Sequence, residues 1–373
     1  MRMLEVSRVL RQAGEEVEFS SSGEVAEMLS RMGFSCNPLP LADVRYSEDG
    51  SFLVRDTLLA SPWILGRTYR QVRLEVSNIE RFGADVVLSD SALPTVIAAR
   101  ALRVPALTVL NQLNLSSSHG KRSPLSALLS VGISAGMGRL WELSREVLLP
   151  DLPPPYTISE RNLWGSKVEK TRYVGFLSTP EDREPDDALP VFEEDPRPKV
   201  FWQVSGPPRT RSSLLAMALE FSEKLKDDYA FVVSGGDPLS TGVPVKIPGG
   251  WYYGWCQVTD HYFRSCDFVI SRAGHGTIGQ AICASKPSIL VPIPRQPEQE
   301  ANADKAVRLG VSISIQQHAL TLETLSKAMR TILDDGFSRR AEQLGSYARS
   351  FDARAEVVRS VGAAARQGHR GPH

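Results

Sequence analysis

Short apolar runs alternate with stretches of helical spacing along most of this chain. Residues 85–90 (Asp85-Val86-Val87-Leu88-Ser89-Asp90), 105–110, 200–204, 229–233, 251–255, 268–270 and 288–292 are mostly apolar and bounded by turn formers. That is the pattern of strands buried on both faces. Between them, residues 23–32, 93–102, 211–226 and 259–265 carry helical spacing, and 55–81 reads as one long helix. Residues 1–13 are helical and stop at Gly14; a strand over 17–20 follows, and the helix after it stops at Gly33. Strand and helix in strict alternation predict parallel sheets with helices on both faces.

Two stretches break the alternation. Residues 150–155 read PDLPPP, and 178–199 are rich in Asp, Glu and Pro, as an exposed linker is. A chain of 373 residues is comfortable as two domains, each with its own core. The expected division is a first domain over 1–178, a linker over 179–199, a second domain over 200–337, and a helix and tail over 338–373.

The run from Asp267 to Asn302 carries the most chemistry. Phe268-Val269-Ile270 leads into Gly274-His275-Gly276, and residues 277–284 then read as a helix. A glycine turn between a strand and a helix brings backbone N–H groups and a helix N-terminus to one point, which suits a phosphate. After the strand over 288–292 comes a polar loop ending in Gln299 and Asn302, whose amides suit sugar hydroxyls. A phosphate site beside an amide-rich loop is the chemistry of a nucleotide sugar. A second strand-to-helix loop, Ser205-Gly206-Pro207-Pro208-Arg209-Thr210, offers Gly206 and Arg209 to the diphosphate.

This string resembles the donor-binding segment of family 28 and related GT-B glycosyltransferases, among them the bacterial N-acetylglucosaminyltransferase that completes lipid II and archaeal relatives. The family pattern of strand, Arg-x-Gly-x-x-Thr, an acidic residue, a small residue and Pro, strand, Gln-x-x-Asn-Ala falls on Arg272, Gly274, Thr277, Gln280, Lys286-Pro287, Gln299, Asn302 and Ala303. Gln280 departs from it, since the family has Glu there to hold the ribose hydroxyls. The resemblance implies an α/β GT-B fold, two Rossmann-like domains facing a cleft, and metal-independent transfer from a UDP-sugar, N-acetylglucosamine included. It implies that Trp255 and Cys256 hold the uracil edge, and that a lipid-linked acceptor, as the lipid II enzyme has, meets the first domain. In the family a first strand and a Gly-x-Gly-His loop precede the helix that Arg2-Met3-Leu4-Glu5-Val6-Ser7 resembles, and here that strand and loop are missing.

Composition narrows the picture further. Lys plus Arg and Asp plus Glu both number 43, so no global field draws nucleic acid or an anionic membrane. Cys36, Cys256, Cys266 and Cys283 lack CxxC spacing and read as reduced thiols of a cytoplasmic protein; the six histidines show no metal-binding spacing. No secretory leader or membrane-spanning run is visible. Lys121 and Arg122 beside Leu125, Leu128, Leu129, Val131 and Ile133 form a basic and apolar edge that suits peripheral contact with the inner face of the cell membrane.

A catalytic base is not assigned by the sequence. Asp90 at a strand end and His275 in the turn are candidates, against a helix N-cap and a backbone role; His119 is a weaker one. The nucleotide sugar is a substrate, so no cofactor is called for. Two other classes remain: a donor-binding protein that needs a partner subunit for the glycine loop, and a sugar-nucleotide epimerase. A nicotinamide dehydrogenase is disfavoured, because no GxGxxG follows a first strand.

Overall fold

A computed structural model describes residues 2–40, 61–112, 138–163, 170–180, 192, 194–206 and 208–368. In chain order the elements are α1 (Arg2–Gln12), β1 (Phe19–Ser22), α2 (Gly23–Arg31), β2 (Cys36–Leu39), α3 (Ser61–Phe82), β3 (Val87–Asp90), α4 (Leu93–Ala101), β4 (Ala106–Val109), β5 (Glu146–Leu149), α5 (Glu160–Leu163) and β6 (Thr171–Tyr173). They continue as β7 (Lys199–Gln203), α6 (Pro208–Lys224), β8 (Ala230–Ser234), β9 (Val245–Ile247), β10 (Gly250–Tyr253), α7 (Thr259–Ser265), β11 (Phe268–Ser271), α8 (His275–Cys283), β12 (Ser288–Leu290), α9 (Pro297–Arg308), β13 (Ser312–Ser314), α10 (Leu322–Ile332), α11 (Asp335–Arg349) and α12 (Ala353–Gly368). A short 3-10 turn over Gln317–Ala319 lies between β13 and α10.

The described residues divide into two compact units, those up to 177 together with 352–368 in unit 1, and those over 178–351 in unit 2. Unit 2 holds one seven-stranded sheet in the order β13-β12-β11-β7-β8-β10-β9. All its pairings are parallel except β9 with β10. Trp202, Phe231 and Phe268 are fully buried on one face, and Phe201, Tyr262 and Phe263 on the other. Each such side chain contributes roughly 1.5–3 kcal/mol. Because helices cover both faces, the strands read as unbroken apolar runs, which is why the sequence exposes them so clearly.

Unit 1 holds a parallel pair, β1 with β2, and a separate four-stranded parallel sheet in the order β3-β4-β5-β6. One face of the larger sheet packs Leu107, Val109 and Leu148 on Val6 and Leu10 of α1 and on Val357, Val361 and Ala364 of α12. On the other face, Val87 and Ala106 meet Ile79 of α3 and Ala98 and Ala99 of α4. Arg172 of β6 ties α12 down, donating to Glu356 and, at 2.7 Å, to Ser360 Oγ. Ser338 lies inside α11, which packs on α8 within unit 2, and it is α12 that joins unit 1.

Several expectations shift. The segment carrying Gln299 and Asn302 is a helix, α9, because Pro297 starts it with its fixed φ and Glu298 and Glu300 sit in its first turn. The preceding loop therefore ends at Gln296. Helix α8 begins at His275 rather than Thr277, since Gly274 takes an extended N-cap conformation. Strands β2, β5, β6, β9 and β13 were not expected; they hold three or four residues each, too few to establish a period. His119 and the basic and apolar edge from Lys121 to Ile133 lie outside the described residues.

Candidate functional site

In unit 2 the parallel strands β7, β8, β10, β11, β12 and β13 end on one edge of the sheet, and their following loops gather there. Ligands of open parallel sheets bind at this edge. The centre of it is the turn between β11 and α8. Gly274 is the N-cap of α8, and no side chain caps the helix. The first turn of any helix carries N–H groups without intrahelical acceptors, here those at Gly276 and Thr277 among them.

The two glycines of the turn are informative because nothing in the protein demands them. Neither takes a positive φ, and a Cβ built on either would meet no atom within 4 Å. A glycine inside a helix costs about 1 kcal/mol relative to alanine. Neither backbone strain nor packing requires them, and the N-terminus of α8 is left open. Gly206 and Gly236 behave differently. Gly206 has φ +109° and its Cβ would stand 2.8 Å from Thr210 Oγ1; Gly236 has φ +69° and its Cβ would stand 2.2 Å from the Val204 carbonyl oxygen. Those two are fixed by the turns they make.

Arg272 is 1 % exposed and stands behind the turn. Its Nη2 donates to the Thr210 carbonyl at 2.7 Å, and its Nη1 to Gln317 Oε1 at 2.7 Å and to the Val291 carbonyl at 3.2 Å. The side chain therefore locks the start of α6, the end of β12 and the 3-10 turn to one another. Desolvation pushes the guanidinium down to about 10, so it stays charged at neutral pH, and no ion pair of it occurs among the described residues.

Gln299 and Asn302 also face the protein. Gln299 Oε1 accepts from the Ile293 N–H at 2.9 Å, and Asn302 Nδ2 donates to the Ala273 carbonyl at 3.3 Å. The first shapes the loop over 291–296; the second ties α9 to the glycine turn. Thr277 is 9 % and His275 5 % exposed in the first turn of α8. Gln280, one turn on, is half-buried. Trp255 is half-buried in the loop after β10, next to buried Cys256, whose thiol is pushed up to about 12 by desolvation. The side chain of Arg209 lies outside the described residues.

Sequence reasoning missed three parts of this edge. Gln203 ends β7 and Gln296 caps α9, and the Oε1 of each is buried with no hydrogen-bond partner among the described residues. A buried acceptor without a donor is rare and calls for one, such as a hydroxyl. The loop after β8, Gly235-Gly236-Asp237, is held by Arg211 Nη1 on the Gly236 carbonyl at 2.7 Å and by the Asp237 N–H on the Gly254 carbonyl at 3.0 Å. An apolar run followed by Gly-Gly was the available signal for it.

Asp90 belongs to unit 1. It does not cap α4, whose N-cap is Ala92. Its carboxylate instead receives the Arg2 guanidinium, with Nε on Oδ1 at 3.0 Å and on Oδ2 at 3.1 Å. Arg2 Nη1 also donates to Asn111 Oδ1 at 3.2 Å. The four cysteines are free thiols, three of them buried.

Comparison with known proteins finds similarity over most of the chain. Residues 250–355 match the glycosyltransferase family 28 C-terminal domain, which spans β10 to the start of α12 and contains the turn. An uncharacterized glycosyltransferase of Methanopyrus kandleri is 27% identical over 339 residues, 88% of this chain and 92% of its own. A UDP-N-acetylglucosamine--N-acetylmuramyl-(pentapeptide) pyrophosphoryl-undecaprenol N-acetylglucosamine transferase of Anaeromyxobacter is 37% identical, but over 91 residues, 22% of this chain and 24% of its own. The crystal structure of the Streptomyces glycosyltransferase SsfS6 with thymidine diphosphate superposes with a TM-score of 0.63 at 21% identity, covering 97% of this chain and 96% of that one. The fold is GT-B, with a Rossmann-like sheet in each unit.

Proposed function

We propose that this protein is a glycosyltransferase that takes a sugar from a UDP-sugar, N-acetylglucosamine being the sugar, and passes it to a lipid-linked acceptor at the cytoplasmic face of the membrane. The single observation behind the reading is the turn at Gly274 and Gly276, where a helix N-terminus is left open by two glycines that neither strain nor packing requires. A diphosphate fits it for three reasons. First-turn N–H groups donate to its oxygens, and the helix dipole favours its charge. The buried Arg272 cation, two positions before Gly274, adds positive potential without occupying the site. Charge developing on the leaving diphosphate is thus met by fixed dipoles, with no metal or cofactor in the scheme. Gln280, Gln296 and Gln203 supply the amides for the ribose and sugar hydroxyls. The N-acetylglucosamine assignment draws on the Anaeromyxobacter enzyme's printed activity.

Calorimetric titration of the chain with UDP, and with GDP as control, tests the reading without added metal. UDP is expected to bind and GDP to bind at least ~10-fold more weakly, a difference of about 1.4 kcal/mol. UDP-N-acetylglucosamine is then expected to displace UDP more effectively than UDP-glucose does. Equal binding of both nucleotides, or of neither, overturns the donor assignment.

A further inference from the structure

We propose that Arg295 is the cation that holds the terminal phosphate of a nucleoside diphosphate at the turn before α8. The inference rests on the donor reading above and adds to it a residue of the loop after β12.

Arg295 stands out by its backbone. Among the described residues, Ser91, Arg103, Ser285 and Arg295 are the ones other than glycine with a positive φ. Arg103 and Ser285 each follow the C-cap of a helix, α4 and α8. In both, the next N–H returns to that helix, from Val104 to the Ala99 carbonyl at 2.9 Å and from Lys286 to the Ala281 carbonyl at 2.8 Å. A residue in that place is left-handed because the helix stops there. Ser91 is bonded to the Val109 carbonyl through its N–H at 3.0 Å and its hydroxyl at 3.4 Å.

Arg295 instead takes the third place of a tight turn, Ile293-Pro294-Arg295-Gln296. The Gln296 N–H donates to the Ile293 carbonyl at 3.2 Å, and Arg295 has φ +59°. Because proline keeps φ at about −65° in the second place, this is a type II turn. Glycine or asparagine fills the third place of such a turn readily, whereas an arginine there is strained. No bond of its own side chain accounts for the choice. Arg295 is exposed and makes no hydrogen bond or ion pair among the described residues, although Glu298 and Glu300 follow within five positions.

The loop is tied to the glycine turn on both sides. The Val291 N–H donates to the Ser271 carbonyl at 2.8 Å, and Arg272 Nη1 donates to the Val291 carbonyl at 3.2 Å. Past the loop, Asn302 Nδ2 donates to the Ala273 carbonyl at 3.3 Å, and Gln299 Oε1 clamps the tight turn through the Ile293 N–H at 2.9 Å. Strands β11 and β12 are direct neighbours, about 4.8 Å apart, a span an arginine side chain covers. Arg295 is thus held one strand away from the open N-terminus of α8. Two more groups of this loop lack partners among the described residues: the buried Gln296 Oε1, and Nε2 of Gln299, which is 7% exposed. A free guanidinium and an amide N–H beside a buried amide oxygen match phosphate oxygens next to a hydroxyl.

Sheet order says which phosphate. Trp255, after β10, and Arg295, after β12, lie on opposite sides of β11 and its turn. A nucleotide with its base at Trp255 and its phosphates at the turn directs the terminal one toward β12.

Calorimetric titration of the parent chain and two variants with UDP and with UMP tests this. Arg295→Gly removes the cation from a conformation that glycine adopts without strain, so its urea midpoint is expected to be no lower than the parent's. Its affinity for UDP is expected to fall at least ~10-fold and that for UMP by less than ~3-fold, since only UDP carries the terminal phosphate. Arg295→Lys keeps the charge and is expected to recover part of the loss. UDP bound by the glycine variant as tightly as by the parent overturns the proposal and leaves the donor reading standing. Equal weakening of UDP and UMP assigns Arg295 to the structure of the turn and overturns it too. A parent chain that binds no UDP overturns the donor reading, and the proposal falls with it.

Discussion

In unit 2, Arg272 leaves the end of β11 and reaches three other segments, at Thr210, Val291 and Gln317, while only 1 % exposed. In unit 1, Arg2 performs a similar bridging at the ends of β3 and β4, on Asp90 and Asn111, but its side chain is 18% and that of Asp90 34% exposed. Both arginines hold the C-terminal edge of a parallel sheet. Their surroundings differ, and so does what each can do. The buried guanidinium donates to two carbonyls and one side-chain amide oxygen, so removing it takes a donor from three acceptors at once. The half-exposed pair is screened by water and salt, and its members can be re-partnered. Unit 2 presents a fixed edge, as a site built from backbone dipoles requires; the corresponding edge of unit 1 is held by a pair that water can replace.

Four substitutions sharpen or break that contrast. Arg272→Leu is expected to destabilise unit 2 by about 3 kcal/mol or more, since Thr210, Val291 and Gln317 lose their donor together. Urea unfolding followed by the fluorescence of unit 2 tryptophans measures it; a loss below about 1 kcal/mol would mean that the arginine is not the lock. Next comes a pair of glycines on the same edge. Gly236→Ala is expected to cost about 2 kcal/mol, because φ is +69° and the new Cβ would stand 2.2 Å from the Val204 carbonyl oxygen. Gly276→Val, where a Cβ meets open space, is expected to leave stability within about 0.5 kcal/mol while weakening UDP at least ~10-fold. Equal stability losses at the two positions would erase the distinction between a structural and a ligand-facing glycine. The smallest effect is expected at Arg2→Ala, under about 1 kcal/mol, and it should vanish when ionic strength is raised to about 1 M. A salt-independent loss there would place Arg2 in the same class as Arg272.

The strongly periodic parts of the fold were legible from the chain. The apolar runs of β7, β8, β11 and β12 announced themselves because a strand buried on both faces has no polar residue to interrupt it. The glycine turn before α8 was equally plain, since strand, glycine and helix are neighbours in sequence. The short strands β5, β6 and β13 were not, because three or four residues carry no period. Among site residues, the positions of Gly274, Gly276 and Thr277 followed from local pattern, whereas the roles of Gln299 and Asn302 did not. Both look like ligand amides in the sequence, and both are turned onto the protein's own backbone, at Ile293 and Ala273. The buried acceptors of Gln203 and Gln296, which do call for a donor, left no trace in the chain.

By itself, then, the sequence determined the alternation of strand and helix, the parallel sheets and the open turn, all features set within a few residues by apolar period and by glycine. Tertiary structure alone decided that Arg272 serves Thr210, 62 positions away, that Arg2 serves Asp90, 88 positions away, and that β7 lies between β11 and β8. The physical reason is the same in each case. Which polar group a side chain meets, and which strand lies beside which, depend on chain segments brought together from far apart, and a local pattern carries no information about that distance.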